Sequence, residues 1–127
     1  MTDVTMLDTH VVIWLASGNV ERISPTAQQR IAEAQALRIS PIVRLELALL
    51  HELGRLSATP SEIIDRVSGS GIVVSDISLN NVAAVATTTS WTRDPFDRMI
   101  VAHAAALHAT LLTKDRQIRT HYADAVW

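Results

Sequence analysis

The feature that most constrains this chain is a short, largely apolar run near its start, Val4-Thr5-Met6-Leu7, that stops abruptly at a carboxylate and a hydroxyl, Asp8-Thr9. An apolar run of this length reads as a central strand of a parallel sheet, buried on both faces. Asp8 would then stand at the strand's carboxyl end, where open α/β sheets place their ligand crevice. A carboxylate in such a place is costly to bury without partners. At this point two readings of Asp8 are equally open: a cap for a helix beginning at Thr9 or His10, and a functional acid.

The rest of the chain alternates helical and strand-like segments. Helices are expected over 10–16, 25–35, 42–53, 60–67, 79–87, 96–107 and 117–122, and strands over 37–40, 72–74, 110–113 and 125–127. Four helix starts carry a capping side chain followed by proline, at Ser24-Pro25, Ser40-Pro41, Thr59-Pro60 and Asp94-Pro95. Ser68-Gly69-Ser70-Gly71 reads as a flexible link, and Thr87-Thr88-Thr89-Ser90 as a mobile polar connection. Strands separated by helices imply parallel crossovers and a three-layer α/β domain. With 127 residues, no internal repeat and no boundary signal, one domain over 1–127 is expected.

Composition narrows the function classes. No cysteine is present, which excludes disulfides and thiolate metal sites and fits a reducing cytoplasm. No apolar run is long enough to span a bilayer, and the start of the chain does not read as a signal peptide. A formal net charge of −2 argues against electrostatic coating of nucleic acid. A hydrophobic content of 48% is high for a solitary soluble chain and points to an oligomer or a standing partner.

Four acids carry the chemical interest. Asp8 and Asp115 each stand just past the end of an expected strand, and each could equally cap the following helix. Glu46 falls on the stripe Ile42, Leu45, Glu46, Leu49, Leu53, whose spacing marks a core-facing helix face. A glutamate there needs a cation, a metal or a proton, unless it lies at the rim beside Arg44 or Arg55. Asp97 opens the face Asp97, Ile100, Val101, Ala104, whereas Asp94 is placed to cap that helix. Thr9 and Thr113 supply hydroxyls beside the two strand-end acids. Oxygen ligands of this kind select Mg²⁺ or Mn²⁺. Clustered carboxylates repel one another unless a cation is bound. Such a site can activate water for in-line attack on a phosphodiester. The five histidines show no shared metal-binding spacing, and structural or surface roles are expected for them. Trp14 and Trp127 read as core or interface residues, and Trp91 more as a loop anchor than as an RNA contact.

The chain resembles PIN-domain proteins of the VapC toxin type. The resemblance rests on Met6-Leu7-Asp8-Thr9-His10, on Ser40-Pro41-Ile42-Val43-Arg44-Leu45-Glu46-Leu47-Ala48 with Gly54-Arg55-Leu56, on Arg93-Asp94-Pro95-Phe96-Asp97-Arg98-Met99-Ile100, and on Leu111-Leu112-Thr113-Lys114-Asp115. It implies a PIN-like fold, a central parallel sheet of about four or five strands with helices on both faces. It implies an endoribonuclease dependent on Mg²⁺ or Mn²⁺, with Asp8, Glu46, Asp97 and Asp115 as catalytic and metal-binding residues. Asp94 would be an additional acid, and Thr9 and Thr113 the small hydroxyl positions. Asp8 and Asp97 are expected to hold the principal metal, with Glu46 and Asp115 completing the charge and orienting water. Arg93, Arg98 and Arg116 stand beside the acids and are candidates to hold flanking RNA phosphates. The resemblance also implies a cognate VapB-type antitoxin, a homodimer, a cytoplasmic location, and contact with DNA only through the antitoxin. Two rival readings are a non-catalytic PIN-like binding module and an aspartate-dependent phosphatase; the latter usually wants an acid two residues after its nucleophile, where this chain has His10.

Overall fold

Most helices begin where the sequence places a capping side chain. The computed structural model describes residues 3–127; Met1 and Thr2, part of the domain expected over 1–127, lie outside the described residues. The elements in order are β1 (Val4–Leu7), α1 (Thr9–Ser17), a 3₁₀ turn (Val20–Arg22), α2 (Pro25–Glu33), β2 (Ala36–Ile39), α3 (Ile42–Glu52), α4 (Pro60–Ser68), β3 (Val73–Val74), α5 (Leu79–Ala86), α6 (Pro95–Ala106), β4 (Thr110–Leu112), α7 (Arg116–His121) and β5 (Ala125–Val126). Ser24 Oγ accepts the Ala27 N–H at 3.0 Å to start α2. Thr59 and Glu62 form a reciprocal capping box at α4. At Ser40-Pro41 the pattern differs, because Pro41 itself has helical backbone angles and Ser40 Oγ reaches only the Ile42 N–H, at 3.3 Å. Gly18 ends α1 in the left-handed region, at φ 75°, where a side chain would be strained.

The five strands pair in parallel in the order β3-β2-β1-β4-β5. Met6 of β1 faces Arg38 on one side and Leu111 on the other, so the opening run of the chain is the central strand. Helices cover both faces of the sheet, which leaves Met6, Leu7, Leu111 and Leu112 without solvent exposure. Val11 and Val12 of α1, Val43 and Leu47 of α3, Ile63, Ile64 and Val67 of α4, and Ile100, Val101 and Ala104 of α6 complete the core around them. Each large side chain so buried contributes about 1.5–3 kcal/mol. A smaller cluster of Val82, Ala86 and Ala102 joins α5 to α6. The crossover from β3 to β4 passes over β2 and β1, so the strand order reverses between β1 and β4.

Two expectations are corrected. On α3 the core-facing residues are Val43 and Leu47, whereas Leu45, Leu49 and Leu53 are 57%, 39% and 57% exposed. This helix is leucine-rich on more than one side, so the i, i+3, i+4 rule fits two faces and periodicity alone cannot choose between them. Glu46 is half-buried at the edge of the packed face. The connection after α5, expected to be mobile, is tied down by its own hydroxyls. Thr87 and Thr88 donate to the carbonyls of Ala84 and Val85 at 2.6 and 2.7 Å, and Thr89 is buried. Trp91 anchors the same segment: its ring stacks on His121 with centroids 4.7 Å apart, and its carbonyl accepts from Gln117 Nε2 at 2.9 Å.

Candidate active site

The reversal of strand order opens a crevice beyond the carboxyl ends of β1 and β4, as doubly wound sheets do at their switch point. A cavity of about 380 Å³ lies there, lined by Asp8, His10, Val11, Trp14, Glu46, Asp94, Asp97, Lys114 and Asp115. Asp8 comes from the end of β1, Glu46 from the second turn of α3, Asp94 and Asp97 from the start of α6, and Asp115 from the turn after β4. Residues far apart in the chain thus converge on one point.

Capping and convergence turn out to be compatible. Asp8 caps α1, its Oδ1 accepting the Thr9 N–H at 2.8 Å. Asp94 caps α6, accepting from the Phe96 and Asp97 N–H groups at 2.9 and 3.2 Å. Asp115 caps α7, accepting from the Ile118 N–H at 2.9 Å. Each carboxylate has two oxygens, so a cap bond fixes the group without using it up. The two threonines complete the scaffold from below. Thr113, fully buried, donates its hydroxyl to Asp8 Oδ2 at 2.6 Å and accepts the Asp115 N–H at 3.1 Å. Thr9, 1% exposed, donates to Glu46 Oε1 at 2.5 Å.

Burial and mutual repulsion hold Asp8, Glu46 and Asp97 toward their protonated forms. Burial raises the Asp8 carboxyl above its ordinary value, against the lowering effect of the Thr113 and Thr9 bonds. Glu46 is raised for the same reason, with the Thr9 hydroxyl opposing. Asp97 is pushed up to about 7, first by burial and then by the charges of Asp94, Asp8, Asp115 and Glu46. The His10 imidazole opposes the rise at Asp8 and Glu46, but none of these acids has an ion-pair partner within 4.0 Å among the described residues, where the pair at that distance is Arg66 with Glu62, elsewhere on the surface.

A hard cation fits this donor set. All of the convergent ligating atoms on these acids are oxygens, and an uncompensated cluster of carboxylates is what a divalent ion would neutralise. Among the described residues no three Asp, Glu or His side chains come together tightly enough to hold one ion by themselves. A divalent ion bound there would take one or two of these carboxylates and complete its shell with water.

The three arginines expected beside the site do not line the cavity. Arg98 donates Nε and Nη2 to the Ala86 carbonyl at 3.2 and 2.9 Å, tying α6 to the end of α5. Arg93 borders a separate shallow depression with Arg98, and Arg116 is exposed on α7. Lys114, directly before Asp115 in the chain, lines the wall instead. Trp14 was read as core, and it is buried, yet it also forms a wall of the cavity, four residues after His10 on the same helix face. Trp127 packs against it with ring centroids 5.9 Å apart.

Comparisons with known proteins agree with this fold. Residues 5–123 match the family model of the PIN domain. Ribonuclease VapC22 of Mycobacterium tuberculosis (strain ATCC 25618 / H37Rv) is 37% identical over 122 residues, covering 91% of this chain and 90% of that protein. Among solved structures, VapBC-1 from nontypeable Haemophilus influenzae superposes with a TM-score of 0.68 at 20% identity, over 98% of this chain and 96% of its counterpart. A toxin–antitoxin complex from Klebsiella pneumoniae has a TM-score of 0.66 at 20% identity, covering 97% and 96% of the two chains. VapBC2 from Rickettsia felis, bound to a DNA fragment from the promoter, also gives 0.66, at 18% identity and the same coverage. At these identities the solved structures speak to the fold.

Proposed function

The chain belongs to the PIN-domain family, and from that premise we propose that it is an endoribonuclease dependent on Mg²⁺ or Mn²⁺, acting as the toxin of a toxin–antitoxin pair. The observation that carries this reading is the convergence of Asp8, Glu46, Asp97 and Asp115 on one cavity at the switch point, none of them in an ion pair within 4.0 Å among the described residues. The ribonuclease activity in the name of the 37% identical relative supports the reaction class.

Asp8 and Asp97 would hold the principal ion, with Glu46 and Asp115 completing the negative shell. When bound, the ion supplies Lewis acidity at the phosphate and lowers the pKa of water for in-line displacement. The chain's own residues do the positioning. Thr113 and the Thr9 N–H lock Asp8 in one rotamer, and the Thr9 hydroxyl locks Glu46. Lys114, on the wall beside Asp115, is placed to meet a phosphate of the RNA backbone. Trp14 and the α1 backbone close the cavity on the side of the core.

The partners follow by likeness. The three solved neighbours are toxin–antitoxin complexes or named for one, which supports a VapB-type antitoxin as the standing partner here. The exposed leucines of α3 give a homodimer an apolar surface to cover. No helix among the described residues is long and apolar enough to cross a membrane.

The test is cleavage of RNA by the purified chain with Mg²⁺, with Mn²⁺ and with a chelator. The wild type should cut only with metal, and Asp8→Asn should not cut, while keeping a cooperative thermal transition. Undiminished cleavage by Asp8→Asn, or by the wild type under chelation, would remove the proposal.

A further inference from the structure

A second cavity, of about 510 Å³, takes no part in the chemistry above. Its place follows from the strand order. The acidic cavity stands over the ends of β1 and β4. The second is lined by Ser40, directly after β2, and by Asp76, two residues after β3. Since β2 is the other neighbour of β1, the two cavities lie side by side along one edge of the sheet. Neighbouring strands are about 4.8 Å apart, so one or two strand spacings separate them. Helix α3 bridges the gap: Ile42 lines one cavity and Glu46, one turn later on the same face, lines the other.

The walls suit a planar heteroaromatic group. Ile42, Ile77, Val82 and Met99 provide apolar surface. His103, 2% exposed on α6, completes the wall and is held rigid by a 2.7 Å bond between its Nε2 and the Oγ of Ser75. The exposed rim carries the Asp76 carboxylate and the Ser78 hydroxyl. Single-stranded RNA is read in this way: an unstacked base lies against side chains while its edge meets a few polar groups.

We propose that this cavity receives the nucleobase of a nucleotide flanking the scissile phosphate and sets the base preference of cleavage, an inference that rests on the ribonuclease reading above. The Asp76 carboxylate accepts hydrogen bonds only, so it favours guanine, whose N1–H and N2–H stand side by side and can meet both of its oxygens, over uracil, whose Watson–Crick edge offers the single N3–H donor. The acidic cavity thus cuts, and its neighbour chooses where.

The experiment digests an RNA pool of randomised sequence with Mn²⁺ and sequences the ends. In the wild type, one position beside the cut should favour guanine over uracil by about five-fold or more, the lower end of discrimination by base-edge contacts. Leu79, at the rim, is 71% exposed, so Leu79→Trp should fold while its indole blocks the mouth. That variant should lose the preference at this position alone, and Asp76→Asn should admit uracil there. A wild type indifferent to the base at every position beside the cut, or variants with the wild-type preference, would overturn the inference. A wild type that cuts no RNA under any metal condition defeats the ribonuclease reading instead. Base binding is then judged directly, by the NMR signals of the Ile42, Ile77 and Met99 methyl groups during titration with nucleoside 5′-monophosphates. Shifts at these methyls, larger for GMP than for UMP, sustain the site, and their absence overturns it.

Discussion

Replacing Asp97 with Asn separates the electrostatics of the acidic cavity from its packing. The Asp97 carboxyl stands at about 7 against an ordinary 3.8, through burial and four neighbouring acids. Converted at 1.36 kcal/mol per pH unit, that displacement is about 4 kcal/mol. Asp97 is only partly buried, and screening by solvent reduces the figure to about 2 kcal/mol. The sign follows from proton linkage. Between pH 3.8 and about 7 the folded chain keeps a proton that the unfolded chain has released, so stability falls as pH rises through this window. Asparagine does not titrate and escapes the loss. Without metal, Asp97→Asn should therefore melt close to the wild type near pH 4 and above it at pH 8, by roughly 6–10 °C for a chain of this size. Adding Mn²⁺ should reverse the order. An ion at one hundred times its dissociation constant stabilises the wild type by about 2.7 kcal/mol, and the variant, lacking a principal ligand, should gain much less. RNA cleavage by the variant should be lost. The assay is thermal denaturation from pH 4 to 8, with chelator and with Mn²⁺. A variant no more stable than the wild type at pH 8 without metal, or one raised equally by Mn²⁺, would refute the reasoning.

Asp115→Asn should keep the α7 cap, because asparagine caps as well as aspartate, and should lose cleavage with little change in melting temperature; Asp115→Ala should lose both, with about 1 kcal/mol of stability. Measured side by side, equal stability of the two variants would show that the cap bond to Ile118 contributes nothing. Thr113→Val keeps the shape but removes the hydroxyl that donates to Asp8 and accepts from Asp115. A loss of about 1–3 kcal/mol is expected from the unsatisfied buried partners, together with weaker stabilisation by Mn²⁺; denaturant unfolding with and without the ion checks both. Leu45→Ser with Leu49→Ser should leave the monomer's stability within about 0.5 kcal/mol, as surface substitutions do, and should shift the sedimentation of a dimer toward monomer, whereas an unchanged oligomeric state would exclude this face from the interface.

The local features were legible because local chemistry makes them. Capping residues before proline set the starts of α2, α4 and α6 to within a residue, since an orphan N–H is satisfied by the side chain next to it. The parallel α/β class followed from alternation of strands and helices; Asp8, Asp94, Asp97 and Asp115 stand at element ends, and Glu46 stood out on a helix stripe. What sequence could not decide depended on long-range geometry. Leu45, Leu49 and Leu53 satisfy the same helical period as Val43 and Leu47, and only the packing of α3 against its neighbours shows which row is covered. Asp8 and Asp115 each cap a helix and also line the cavity, a combination visible only in three dimensions. The bonds that orient the site, Thr9 to Glu46 across 37 residues and Thr113 to Asp8 across 105, exist only because parallel crossovers bring distant strand ends together. Sequence thus determined which groups could do chemistry, through their types and local spacing. The tertiary structure decided which of them share one cavity, and therefore which of them repel one another.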